Sequence, residues 1–204
     1  MSPNLAVGGR AGYAALVAKL YFRHGTMSSA KTLNLLAVAH NYRSQGKRVL
    51  LIKPRLDTRF SGEAIVSRSG LEAQADLLVG PETRLEPGLF EGLHCVLVDE
   101  AQFLSPAIVE QLRRVTLSHN VPVICYGLRT DFQTRLFEGS KRLLELADSI
   151  EEVKVTCQFC NRKAIFNMRL IDGRPTLEGQ QVMLGADESY APTCCTCFAA
   201  RLPL

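Results

Sequence analysis

The chain has 204 residues, 47% of them hydrophobic and 22% charged, with 24 Lys and Arg against 20 Asp and Glu and a net charge of +4. This is the profile of a globular chain with a real core, sized for one moderate domain or a main domain with a small appendage. No stretch approaches the roughly 18 consecutive apolar residues of a membrane span, and the small basic excess suits nucleotide polyanions but lacks the long basic run expected for duplex nucleic acid.

Residues 1–18 are rich in Ala and Gly, but Arg10 and Tyr13 interrupt any apolar signal-peptide core. They read as a poorly ordered extension or an overextended start, and the chain is expected to be cytoplasmic. Leu20 to Phe22 then predicts a buried strand, followed by Gly25-Thr26-Met27-Ser28-Ser29-Ala30-Lys31-Thr32 at the mouth of a helix. The segment fits G-x-x-x-x-G-K-[ST] at every fixed position but the second glycine, which is Ala30. In such a loop the backbone N–H groups curl round a phosphate and the helix N-terminus adds partial positive charge. Lys31 would neutralise the β- and γ-oxygens, and the Thr32 hydroxyl would be a Mg²⁺ ligand. Ala30 is expected to cost roughly 1 kcal/mol, because that position often needs backbone angles a Cβ disfavours.

Leu33, Leu36, Ala37 and His40 fall on one side of the helix that begins near Lys31, and Val49 to Ile52 predicts the next strand. Pro54 to Gly70 carries charge, Ser and Gly without periodicity and reads as a mobile loop. Cys95 to Val98 is a buried strand ending in Asp99-Glu100, the place where a phosphate-loop enzyme holds Mg²⁺ through an acid. Asp99 takes that role, and Glu100 can face an acceptor and accept its proton. Ser105 caps and Pro106 opens a helix marked by Ile108, Val109 and Leu112; Val121 to Tyr126 is a strand; Leu143, Leu144 and Leu146 mark a third helix. This alternation predicts an α/β fold, a parallel sheet flanked by helices, over residues 19–150.

After about residue 150 the rhythm changes to short strands punctuated by Cys, Gly and Pro, so residues 151–204 are expected to form a second, smaller lobe. Cys95 and Cys125, alone in apolar runs, read as small buried hydrophobes. Cys157 and Cys160 form one C-x-x-C pair and Cys194 and Cys197 another, 33 residues on. Two such knuckles complete a closed tetrahedral Zn²⁺ site with four sulfur ligands, hence a structural one, with Cys195 left over on its rim. A redox dithiol or unrelated core cysteines are the alternatives.

These pieces in this order resemble the type II thymidine kinases: the phosphate loop, Asp57-Thr58-Arg59, Val98-Asp99-Glu100-Ala101-Gln102-Phe103, Tyr126-Gly127-Leu128-Arg129-Thr130-Asp131-Phe132, then the cysteine lobe, together spanning Lys19 to Cys197. The resemblance implies a recombinase-like phosphate-loop core, a zinc lobe carrying a lasso loop at Gln180 to Tyr190, and transfer of the γ-phosphate of ATP to the 5′-hydroxyl of thymidine. It makes Glu100 the catalytic base, adds Gln102 and Arg59 to the ATP-binding set of residues 25–32 and Asp99, and puts Met27 near the thymine methyl. Phe103, Leu128, Phe132 and Phe137 would enclose the ring, with Tyr190 and the backbone around Val182 and Gly185 completing the acceptor site. It further implies a homotetramer inhibited by thymidine triphosphate, with no membrane or nucleic-acid partner. Ala30, and Ala186 where the lasso commonly has glycine, depart from the pattern. A DNA-associated ATPase and a nucleotide sensor are the rival functions; the first needs a basic groove with aromatic platforms, and no basic clustering is visible.

Overall fold

The computed structural model describes residues 17–56, 63–181 and 189–202. The extension up to residue 16, Arg59 with its neighbours Asp57 and Thr58, and Val182, Gly185 and Ala186 of the expected lasso lie outside the described residues. Among those described, no helix is long and apolar enough to cross a membrane.

Eleven strands and four α-helices are described, in the chain order β1 (Leu20–His24), α1 (Lys31–Ser44), β2 (Val49–Pro54), β3 (Ala64–Val66), β4 (Glu72–Gln74), β5 (Leu77–Val79), β6 (Cys95–Val98), α2 (Pro106–Ser118), β7 (Val123–Gly127), α3 (Glu138–Leu146), β8 (Ser149–Glu152), β9 (Phe166–Ile171), β10 (Arg174–Thr176), β11 (Ser189–Thr193) and α4 (Cys195–Ala199). Six strands form one sheet in the order β5-β2-β6-β7-β1-β8. Every pairing in it is parallel.

The continuous apolar runs of β6 and β7 follow from burial on both faces of that sheet. Alternate residues point to opposite sides: Val96, Val98, Val123 and Cys125 join the cluster under α2 and α3, while Cys95, Leu97, Ile124 and Tyr126 join the one under α1. Helix α2 starts as its sequence requires, with Pro106 in the first turn and the Ile108 N–H donating to Ser105 Oγ at 3.4 Å. Replacing the fully buried Leu112 by Ala would cost about 2–5 kcal/mol of that packing.

Two differences from the sequence reading matter. Part of the expected loop 54–70 is ordered as β3, which pairs antiparallel with β4 through Ile65 and Ala73, and Ile65 is buried in the α1-side cluster. The sheet also gains β5 and β8 at its edges; β8, with the sequence Ser-Ile-Glu-Glu, pairs on one side only and has no apolar signature.

Strands β10, β9 and β11 form a separate antiparallel sheet with α4 packed on it. Its buried apolar cluster consists of Met168, Ala191, Phe198 and Leu202.

Candidate active site

The phosphate loop leaves the carboxyl end of β1. A Cβ on Gly25 would lie 2.5 Å from the Val153 carbonyl oxygen, so the first position of the loop has room only for glycine. Ser28 and Ala30 both have left-handed backbones, φ 63° and 60°. Alternation of this kind turns successive N–H groups inward and makes an anion-binding nest. The expected strain at Ala30 is therefore present. Lys31 is 8% exposed, and its ammonium donates to the Thr26 carbonyl at 2.7 Å and to Ser29 Oγ at 3.3 Å. Among the described residues, the adjacent Thr26 Oγ1 is buried with no hydrogen-bond partner.

At the end of β6 the buried Asp99 brings both carboxylate oxygens to 3.3 Å from Thr32 Oγ1. A hydroxyl and a carboxylate converging beside a phosphate nest are the hard oxygen donors that Mg²⁺ takes, so the residues fit that ion. Glu100 has a left-handed backbone, φ 48° and ψ 39°, an uncommon conformation for a residue with a side chain and one that concentrates at functional sites. Its Oε2 accepts from Gln102 Nε2 at 2.5 Å, and Gln102 Oε1 accepts from the Leu128 N–H at 2.9 Å. Gln102, expected among the ATP contacts, thus sits 2% exposed between the carboxylate and the end of β7.

Lys31, Thr32, Asp99 and Glu100 open on one cleft of about 530 Å³, together with Met27, Leu128 and residues 64–69. Strand β3 and the turn after it line one side of the cleft, and Arg68 donates to Ser28 Oγ at 2.5 Å. A lone arginine in a polar stretch carries no sequence signal, and Arg68 was missed for that reason. Of the other residues expected around the ring, Phe137 is buried and meets Phe103 edge-on at 5.6 Å, while Phe132 is buried against Arg169. Tyr190, half-buried, pairs with Arg169 across β11 and β9.

The lobe reaches the phosphate loop directly. Asn167 of β9, also unremarked in the sequence, accepts from the Met27 N–H at 2.7 Å and donates to the Thr130 carbonyl at 3.4 Å.

Cys157, Cys160, Cys194 and Cys197 place their sulfurs within 4.8 Å of one another, with Cys160 and Cys194 3.6 Å apart. Four sulfurs about 2.3 Å from a tetrahedral zinc stand about 3.8 Å from each other, so this cluster can hold zinc. Burial would raise the Cys157 thiol, but N–H groups of Cys194 and Phe159 and the neighbouring thiols outweigh it and bring it down to about 7. Burial and that neighbouring charge push Cys197 up to about 12. Cys195 is exposed and outside the cluster. Cys95 and Cys125 are fully buried, and burial pushes the Cys95 thiol to about 12, which suits packing rather than reactivity.

Residues 18–198 match the family model described as thymidine kinase. The chain is 45% identical over 185 residues to the thymidine kinase of Lactococcus lactis, covering 87% of this chain and 95% of that one. It is 45% identical over 180 residues to that of Streptococcus pyogenes serotype M3, with the same coverage, and 44% identical over 181 residues to that of Streptococcus gordonii, covering 87% and 94%. Among solved structures, the Pif1 helicase of Candida albicans superposes with a TM-score of 0.42 at 10% identity, over 67% of this chain and 36% of its own, too distant to weigh.

Proposed function

The chain belongs to the thymidine kinase family, and from that premise we propose that it transfers the γ-phosphate of ATP to the 5′-hydroxyl of thymidine, giving thymidine monophosphate and ADP. The observation that carries the proposal is the shared cleft, in which the lysine of the phosphate nest and the Glu100 carboxylate face the same space.

The N–H groups of residues 25–32 and the Lys31 ammonium hold the β- and γ-phosphates. Thr32 and Asp99 hold magnesium, whose chemistry here is to offset charge on the phosphate oxygens. Glu100 takes the proton of the 5′-hydroxyl as the phosphoryl group moves. Gln102, bonded to both Glu100 and the Leu128 backbone, keeps that carboxylate turned to the acceptor. Met27 and Leu128 border the acceptor space, and Phe103, Phe132, Phe137 and Tyr190 form the wall behind it. The transition state is loose and highly charged, so positioning and electrostatics supply the rate.

We divide the work between a donor domain at 19–150 and an acceptor-covering lobe at 151–204 stapled by zinc on its four cysteines. The resemblance carries Arg59 to the phosphates and the backbone of Val182 and Gly185 to the thymine edge. It extends the proposal to a cytoplasmic homotetramer restrained by thymidine triphosphate.

ADP release from magnesium–ATP with thymidine, with single-stranded DNA, and with neither is the deciding assay. Thymidine-dependent release is expected. Release stimulated by DNA alone, or none in any arm, would overturn the proposal.

A further inference from the structure

Strand β9 carries a second inward side chain two residues beyond Asn167. Arg169 is 0% exposed. Burying a guanidinium is costly unless neighbouring groups offset its charge and take up its donors, and among the described residues Arg169 Nε is buried without a hydrogen-bond partner. Its carbon centre lies 4.7 Å from the centroid of the Phe132 ring, a cation–π stack made stronger by the loss of water. Its Nη1 donates to the carbonyls of Glu178 at 3.3 Å and Gln180 at 3.2 Å.

Gly179, between those two carbonyls, is built around this contact. Its φ is +105°, and a Cβ there would lie 2.8 Å from Arg169 Nη1. Two further bonds tie the same strap to the same wall. Gln133 Nε2 donates to the Leu177 carbonyl at 2.7 Å, and Gln181 Nε2 donates to Asp131 Oδ2 at 2.8 Å. Residues 177–181 are thereby fastened along residues 131–133, with the guanidinium between Phe132 and the strap carbonyls.

We propose that Arg169 is a positioning residue for the nucleoside acceptor, fixing Phe132 and the strap 177–181 as one preformed wall. The inference rests on the thymidine kinase reading and deepens it. Arginine suits the task better than lysine, because its flat guanidinium lays a face on the ring while Nη1 at its edge reaches both carbonyls, which a compact ammonium cannot do from the same position. A wall that is already set costs the acceptor no ordering on binding. The described contacts of Arg169 run to Phe132 and the strap, so its effect is expected on the acceptor side and not on the phosphate side.

The test is steady-state kinetics on the zinc-loaded full chain carrying Arg169→Lys, with Gly179→Ala as a second variant that keeps the arginine but crowds it. Both are expected to raise KM for thymidine by roughly tenfold or more, with KM for ATP unchanged and kcat at saturating thymidine within about threefold. Hydrogen exchange of the amides of residues 177–181 should quicken in both variants. Unchanged KM for thymidine in both variants, or equal rises for thymidine and ATP, would overturn the proposal. If the wild-type chain itself gave no thymidine-dependent turnover, the kinase reading would fall. The exchange measurement would then decide the role of Arg169 alone, and unaltered exchange at 177–181 would end it.

Discussion

Among the described residues, 17 buried side chains form one apolar cluster around the main sheet and 10 form another on its opposite face, whereas the cluster of the C-terminal lobe has 4. The first region has enough buried apolar surface to hold its strands by packing alone. The second is of the size at which a core needs a staple, and its four converging thiols provide for one. Function divides along the same line. The phosphate nest and both acids sit at the carboxyl ends of strands of the main sheet, where backbone pairing fixes them, while the lobe adds Asn167 against the phosphate loop and Arg169 against Phe132.

Metal removal tests that contrast most severely. Structural zinc sites are worth on the order of 10 kcal/mol. Chelation should therefore release β9, β10 and β11 to rapid amide exchange while the protection of β1, β6 and β7 survives. Exchange is the suitable readout because the chain has no tryptophan to report on either region by fluorescence. Simultaneous loss of protection in both regions would break the comparison.

Glu100→Gln probes the sheet side next. It should lower kcat by about 10²–10⁴-fold, the usual contribution of a general base, with ATP binding by calorimetry unchanged. A Gln variant of near-normal kcat would take the base role away from Glu100.

The smallest effect expected is at Ala30. Glycine there should relieve the left-handed strain at φ 60°, worth about 1 kcal/mol or somewhat less once the looser unfolded chain is counted. That corresponds to a rise in Tm of up to about 2–4 °C for a chain of this size. A fall in Tm would mean that the Ala30 methyl contributes packing that outweighs its strain.

What the sequence disclosed followed the same division. Strands buried on both faces leave uninterrupted apolar runs, so β1, β2, β6 and β7 were legible, and the loops at their carboxyl ends carried motifs. Edge strand β8 was not, because pairing on one side lets Ser149–Glu152 stay polar. Strand β3 was taken for loop because it is only three residues long, with Ile65 alone of them buried, in a stretch otherwise rich in charge, Ser and Gly. Within the site, the residues of the phosphate-loop pattern were named by local spacing. Arg68, Asn167 and Arg169 were not, since each acts across a contact 40 or more residues away in one case and between sheet and lobe in the others. Gln102 fell inside a recognised motif, yet its two bonds to Glu100 and Leu128 emerge only when β6 and β7 are side by side.

The strand order has a further consequence. Strand β7 lies between β1, which feeds the phosphate nest, and β6, which ends in the acids. The ends of β1 and β6 are thereby held two interstrand steps apart, roughly 10 Å, by main-chain hydrogen bonds, and side chains such as Thr32 and Asp99 close that gap to 3.3 Å. Substitutions in the surrounding loops should leave that backbone spacing as it is, because they do not touch the pairing of β7 with its two neighbours.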